Sequence, residues 1–265
     1  MTQHSLTPQL HAVVEDIADI SRYIWESGWS AANGGNLTVD VTELVSESMT
    51  GDADARVLPL PLAVPTLAGR SIFVTVSGAR FRDVPGHPEK ALILIRILAG
   101  GDSCQVLWGG ERGGRPTSEL AAHLRIHEYL RERNATQRAV LHAHPTHVIA
   151  MTHLPEFRTS DFVRVLEVSL STAYVFLNEG VGMVGPEQMG STTLADETVR
   201  LLEGRRVVLW ERHGSVAIGD DASEAFDLTD MMEKASEVFL ACVGAGYEPK
   251  RMSAREIEQL RGGGI

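Results

Sequence analysis

The sequence predicts a mixed α/β sandwich built as one domain over residues 1–265. Helical and strand-like segments alternate irregularly, a β-hairpin is written into the middle of the chain, and no linker or internal repeat divides it. A doubly wound parallel sheet would instead need a crossover helix between successive strands. At 265 residues the chain can bury a sizeable core, and 43% hydrophobic with 22% charged residues is a globular composition.

The elements follow in order. Leu10, Val13, Val14, Ile17, Ile20 and Ile24 recur at helical spacing, and this helix ends near Gly28. Asn33, Gly34, Gly35 and Asn36 form a glycine turn into a strand from Leu37 to Val41. Residues 45–55 are small and acidic and read as a surface excursion, while three prolines within 57–68 exclude an inner strand. The β-branched run Ser71–Val76 is a strand stopped by Ser77 and Gly78. Leu92–Leu98 and Cys104–Trp108 make the hairpin. A helix starts in the segment Pro116, Thr117, Ser118, Glu119, Leu120, where a hydroxyl can cap it, and runs to Arg133. Ala139–Leu141 opens a strand that runs into His142, Ala143 and His144. Residues 162–177 read mostly as strand, 188–203 as helix, and Val207–Trp210 as a strand leading to His213 and Gly214. Asp221 and Glu224 resemble a capping box for a last long helix that buries Ala225, Leu228, Met232, Ala235, Phe239 and Cys242 on one face.

Composition excludes several classes. Two cysteines, Cys104 and Cys242, cannot build a disulfide framework, so a reducing, cytoplasmic setting is expected. No apolar run is long enough to span a bilayer, and the segment Met1–Leu10 lacks the pattern of a signal peptide. A net charge of −11 argues against a nucleic-acid partner.

Ten histidines supply the chemistry. His142 and His144 stand two apart on a strand, so both imidazoles point to one face and can share a metal ion. His213, followed by Gly214, is a candidate third donor, and three histidines with one open position suit a catalytic zinc. The rival site is His123 with His127, four apart on one helix face. The metalloprotease pattern is absent, because no Glu follows His123. The Asn33–Asn36 turn can offer N–H groups and amides to an anion, although such turns also occur simply as turns. Ser77, Gly78, Thr117 and Ser118 add hydroxyls and N–H groups. Glu119 near a helix start is ordinary N-terminal stabilisation by its spacing alone, and that position lowers a carboxylate pKa.

Taken in order, N-G-G-N (33–36), S-G (77–78), P-T-S-E (116–119), H-A-H-P (142–145) and R-H-G (212–214) resemble the class II aldolase/adducin family. The resemblance runs from about residue 20 to 250. It implies a single α/β/α domain around a mostly antiparallel sheet, assembled as a homotetramer. It implies one Zn²⁺ per subunit on His142, His144 and His213, and Glu119 as the catalytic acid/base. It places the phosphate of a small sugar-phosphate substrate at Asn33, Gly34, Gly35, Asn36, Ser77, Gly78 and Ser118. Epimerases of the family carry Asp where Glu119 stands, and non-catalytic adducin-like domains lose the histidine ligands. One departure concerns a glutamate that aldolases of this kind receive from a neighbouring subunit. The aligned residue here is Thr172, and Glu167 and Glu179 are the nearest acids. With neither cysteine needed as a ligand, the expected metal site is all-histidine.

Overall fold

The computed structural model of the chain describes residues 5–49, 55–154, 162, 165–167 and 171–262. Helix α1 (Pro8–Glu26) opens at Thr7, whose hydroxyl accepts the Leu10 amide at 3.3 Å, and Pro8 occupies its first turn. There follow β1 (Asn36–Asp40), β2 (Val57–Pro59), β3 (Ser71–Thr75), the short α2 (Pro88–Ala91), β4 (Leu92–Ile97) and β5 (Ser103–Gly109). The second half holds α3 (Leu120–Glu132), β6 (Ala139–Ala143), α4 (Thr146–Thr152), α5 (Ser171–Phe176) and β7 (Gly182–Val184). It closes with α6 (Thr192–Leu202), β8 (Val207–Trp210), β9 (Gly214–Gly219), α7 (Ala222–Gly244) and α8 (Ala254–Gly262).

The described strands form one nine-stranded sheet in the order β2-β5-β4-β3-β1-β6-β9-β8-β7. Every pairing is antiparallel except β7 with β8. The proline-rich strand β2 lies at an edge, where a missing N–H costs no ladder bond. Strand alternation splits the core into layers. Leu37, Val39, Leu141 and Ala143 face the layer of α1 and α7, which contributes Ile17, Ile24, Leu228 and Met232. Val140, Val216 and Ile218 face the opposite layer, with Ala122 and Ile126 of α3 and Leu194 of α6. The architecture is the expected α/β/α arrangement around a mostly antiparallel sheet. Among the described residues, no helix is long and apolar enough to cross a membrane.

Three expectations are corrected. The described part of 162–177 is helical: residues 162 and 165–167, then α5. Its buried side chains are Phe162, Val165, Leu166, Ala173, Tyr174 and Leu177, a spacing of three and four that fits helix and not strand. The rest of that segment lies outside the described residues, as do 50–54 of the acidic excursion. The helix expected to start within Pro116–Leu120 begins at the last of these residues, without the expected hydroxyl cap and with Glu119 just before its first turn, because Pro116 pairs with Val76 and the Thr117 amide donates to the Thr75 carbonyl at 3.0 Å. Backbone bonding to the end of β3 thus holds residues 116 and 117 extended. Glu119 becomes the N-cap residue, with no side-chain capping bond of its own. In α7 the four inner residues Ala225, Leu228, Met232 and Ala235 are buried, while Phe239 and Cys242 are only partly covered. Asp221 accepts the Glu224 amide at 2.8 Å, and Glu224 accepts the Asp220 amide at 2.6 Å, a capping box shifted by one residue.

Candidate active site

Sheet register brings the separate motifs to one end of the molecule. Asn36 at the start of β1 lies opposite His142 near the end of β6, and Ala143 lies opposite Ser215 at the start of β9. On the other side β1 pairs with β3, Thr38 opposite Val74, so Ser77 and Gly78 emerge at that same end. There the Ser77 amide donates to the Arg115 carbonyl at 2.8 Å, which sets the Ser77–Gly78 turn beside the segment leading to Ser118 and Glu119. Asn33, Ser77, Gly78 and Ser118 are exposed, and Gly34 and Gly35 half-buried.

His142 lies on the face of β6 that looks toward α3, and His144 follows just past the strand end. His213 reaches them from the three-residue turn between β8 and β9, closed by the pairing of Trp210 with Gly214. Arg212 takes a left-handed backbone conformation in that turn, φ 58°. One ring nitrogen from each of His142, His144 and His213 lies within 4.8 Å of the others. The Nε2 atoms of His142 and His144 are 3.1 Å apart. Glycines make this packing possible. A Cβ on Gly214 would stand 2.3 Å from the Ala143 carbonyl oxygen and 3.0 Å from both the His142 and His144 rings. A Cβ on Gly34 would stand 2.6 Å from the His144 ring, and one on Gly35 would stand 2.8 Å from the His142 carbonyl.

The donor set suits a metal ion. His142 Nδ1–H donates to the Ser215 carbonyl at 2.9 Å, which leaves Nε2 with a free lone pair. Burial first, and then the neighbouring imidazoles, push the His142 pKa well below the usual 6.5. Burial also lowers that of His144, and lowers His213 to about 4. All three are therefore neutral donors at pH 7. Among the described residues no other group of three His, Cys, Asp or Glu side chains converges in this way. Both cysteines are free and neither belongs to the converging group, and burial raises the Cys104 thiol to about 11.

Glu119 sits over the triad. Its carboxylate oxygens lie 3.4 Å from His142 Nε2 and 3.5 Å from His213 Nε2. Asn36 Nδ2 donates to Glu119 Oε2 at 2.7 Å. Burial raises the Glu119 pKa, partly offset by that hydrogen bond, so desolvation outweighs the lowering expected from a helix start. Trp210 backs the site, its ring centroid 4.5 Å from that of His142, and its indole N–H is satisfied by Thr198 Oγ1 at 2.8 Å.

The rival pair His123 and His127 is not a second metal site. Both bind Thr38 Oγ1 at 2.8 Å, and His123 Nε2 meets Asn36 Oδ1. Sequence reasoning missed this contact between strand and helix. Its signal is there: Asn36 and Thr38 share a strand face, and Glu119, His123 and His127 are spaced by four along one helix stripe. The acids near the aligned aldehyde-end position lie elsewhere. Thr172 is exposed on α5, and Glu179 is held by Arg206 at 2.9 Å. The Glu167 carbonyl accepts the Met252 amide at 3.0 Å.

Comparison with known proteins agrees with this geometry. The family model for the class II aldolase and adducin N-terminal domain matches residues 15–240. A rhamnulose-1-phosphate aldolase from Bacteroides thetaiotaomicron is 31% identical over 255 residues, covering 96% of this chain and 94% of the relative. A second from Listeria welshimeri is 31% identical over 229 residues, covering 86% and 82%. Among solved structures, a sugar-phosphate aldolase from Thermotoga maritima superposes with a TM-score of 0.80 at 28% identity, covering 91% of this chain and 99% of its own. An L-fuculose 1-phosphate aldolase shares the fold, with a TM-score of 0.64 at 19% identity, covering 98% of this chain and 97% of its own. The chain belongs to the class II aldolase and adducin family.

Proposed function

We propose that this aldolase is a zinc enzyme that reversibly cleaves L-rhamnulose 1-phosphate to dihydroxyacetone phosphate and L-lactaldehyde. The observation that carries the reading is the buried carboxylate of Glu119 lying between the Nε2 atoms of His142 and His213. The substrate choice is supported by the rhamnulose-1-phosphate aldolases that match at 31% identity over most of both chains.

His142, His144 and His213 would hold the Zn²⁺. Once bound, the ion supplies Lewis-acid stabilisation of the negative charge left beside a ketone when the C3–C4 bond breaks. Neutral ligands leave its full positive charge for that task. Glu119 handles the proton at carbon: in cleavage the C4 hydroxyl gives up one proton to solvent as the aldehyde forms, and Glu119 delivers one to the carbon that becomes the hydroxymethyl group of dihydroxyacetone phosphate; condensation reverses both transfers. A carboxylate in a dry site, its pKa raised by burial, can serve both directions. Asn33, Gly34, Gly35, Asn36, Ser77, Gly78 and Ser118 take the phosphate, with Asn36 at the boundary between phosphate and Glu119. The net charge of −11 does not oppose this, because N–H groups and amides act locally on one phosphate. The proposal includes a cytoplasmic homotetramer as the active form, on the family resemblance; native mass tests its size.

The deciding experiment is release of dihydroxyacetone phosphate from L-rhamnulose 1-phosphate, stopped by a chelator and restored by Zn²⁺. A higher kcat/KM with L-fuculose 1-phosphate would move the assignment to that neighbouring activity or to another sugar-phosphate enzyme of the family. A protein that takes up no zinc and cleaves neither sugar would be a non-catalytic adducin-like domain.

A further inference from the structure

Behind Glu119 a line of buried side chains runs between β1 and α3: Asn36, His123, Thr38 and His127. Asn36 is 6% exposed, Thr38 1%, His123 1% and His127 3%. No apolar packing requires two histidines and a threonine here, and burying them is costly unless every polar atom is paired.

The direction of the hydrogen bonds follows from one end. An ionised carboxylate only accepts, so at Glu119 Oε2 Asn36 presents its Nδ2–H. The Asn36 Oδ1 then faces His123 Nε2, which must carry a hydrogen to donate. A neutral imidazole with Nε2–H has a bare Nδ1, so Thr38 Oγ1–H donates to it at 2.8 Å. The Thr38 oxygen is then left to accept from His127 Nε2–H, also at 2.8 Å. Each donor points toward Glu119, and each group has one role. Burial keeps both imidazoles neutral, lowering His123 to about 3 and His127 to about 4.

We propose that His123, held by Thr38 and His127, is a positioning residue: it locks the Asn36 amide with its NH₂ toward Glu119 and so aims the Glu119 carboxylate at the reacting carbon. Without that lock the Asn36 amide can turn over, present its oxygen to the carboxylate, and repel it from the working position. The proposal rests on Glu119 as the proton carrier.

The test compares Thr38→Val, nearly isosteric but without the hydroxyl, with Thr38→Ser, which keeps it. In the zinc-loaded enzyme Thr38→Val should lower kcat about tenfold, in the range of a lost orienting contact. Zinc content should be unchanged, because the histidine triad is untouched, KM should change by less than kcat, because Asn36 is one phosphate residue among several, and Thr38→Ser should recover most of kcat. A Thr38→Val enzyme with wild-type kcat, or one in which kcat and zinc content fall while KM rises as steeply, would overturn the proposal. If Thr38→Val does not fold, long-range ¹H–¹⁵N NMR on the intact wild-type protein decides. His123 and His127 should both be neutral Nε2–H tautomers at pH 7, and an Nδ1–H tautomer at His123 would reverse the line and sink the idea. The reading beneath it fails separately: Glu119→Gln with normal cleavage would remove the proton carrier while leaving the tautomers as they are.

Discussion

Gly214 at the start of β9 lies directly against the carbonyl of Ala143 at the end of β6, so close that a Cβ there would sit 2.3 Å from the oxygen. The β8–β9 turn delivers His213 to the other two histidines only because residue 214 has no side chain. Gly214→Ala should therefore cost about 3 kcal/mol or more, since the clash is with backbone and cannot be relieved by a rotamer. Gly78→Ala is the contrast. Gly78 has φ +78° but open space around it, so the cost should be about 1 kcal/mol of backbone strain. Urea denaturation of the two variants checks this, and equal losses would show that the Gly214 approach is not tight.

His213→Ala separates metal binding from folding. The side chain lies on a turn and is partly exposed, so its loss should cost less stability than that of the fully buried His142. Zinc content should fall well below one ion per chain, and cleavage with it. His142→Ala should lose the metal as well and cost more stability, because it empties a fully buried position and removes the bond to the Ser215 carbonyl. Metal analysis beside a melting curve for each variant reads both quantities. A His213→Ala protein that keeps its zinc would take His213 out of the ligand set.

Glu119→Gln should lower kcat for cleavage by roughly 10²–10⁴-fold, the usual worth of a positioned acid/base. Melting temperature should not fall, because Gln keeps an acceptor for Asn36 Nδ2 and removes a charge that burial disfavours. Steady-state kinetics and calorimetry on the zinc-loaded variant measure the two sides.

His123 and His127 predict how stability follows pH. Their folded pKa values, about 3 and about 4, lie below the usual 6.5. In the unfolded chain both take up protons once the pH drops under roughly 6.5, while in the folded protein they stay neutral. Their contribution is fully present above that pH and is lost as the pH falls toward 4, at up to about 1.4 kcal/mol per pH unit for each. The denaturant midpoint should drop between pH 7 and 5, and His127→Gln should make that drop shallower. Identical slopes in the variant and the wild type would show that His127 is not held neutral.

The sequence alone determined what is local. Helical spacing in α1 and α7, the β4–β5 hairpin and the edge position of the prolines follow from side-chain periodicity and missing donors, which need no partner. His142 and His144 fall on one face by strand geometry, and the ordered motifs carried the family. Tertiary structure decided the rest, because it depends on which segments become neighbours. Residues 162–177 carry apolar side chains that suit a strand as well as a helix, and packing beneath the described part selected helix. Pro116 and Thr117 pair with the end of β3 instead of joining α3, which set Glu119 at the cap with its carboxylate turned to Asn36 and the histidines. Most of all, spacing marks the 36–38 face of β1 and the 119–123–127 stripe of α3, but not that the two meet. Antiparallel pairing of β1 with β3 and β6 creates that meeting, and burial there moves the Glu119 pKa opposite to what a helix start would do.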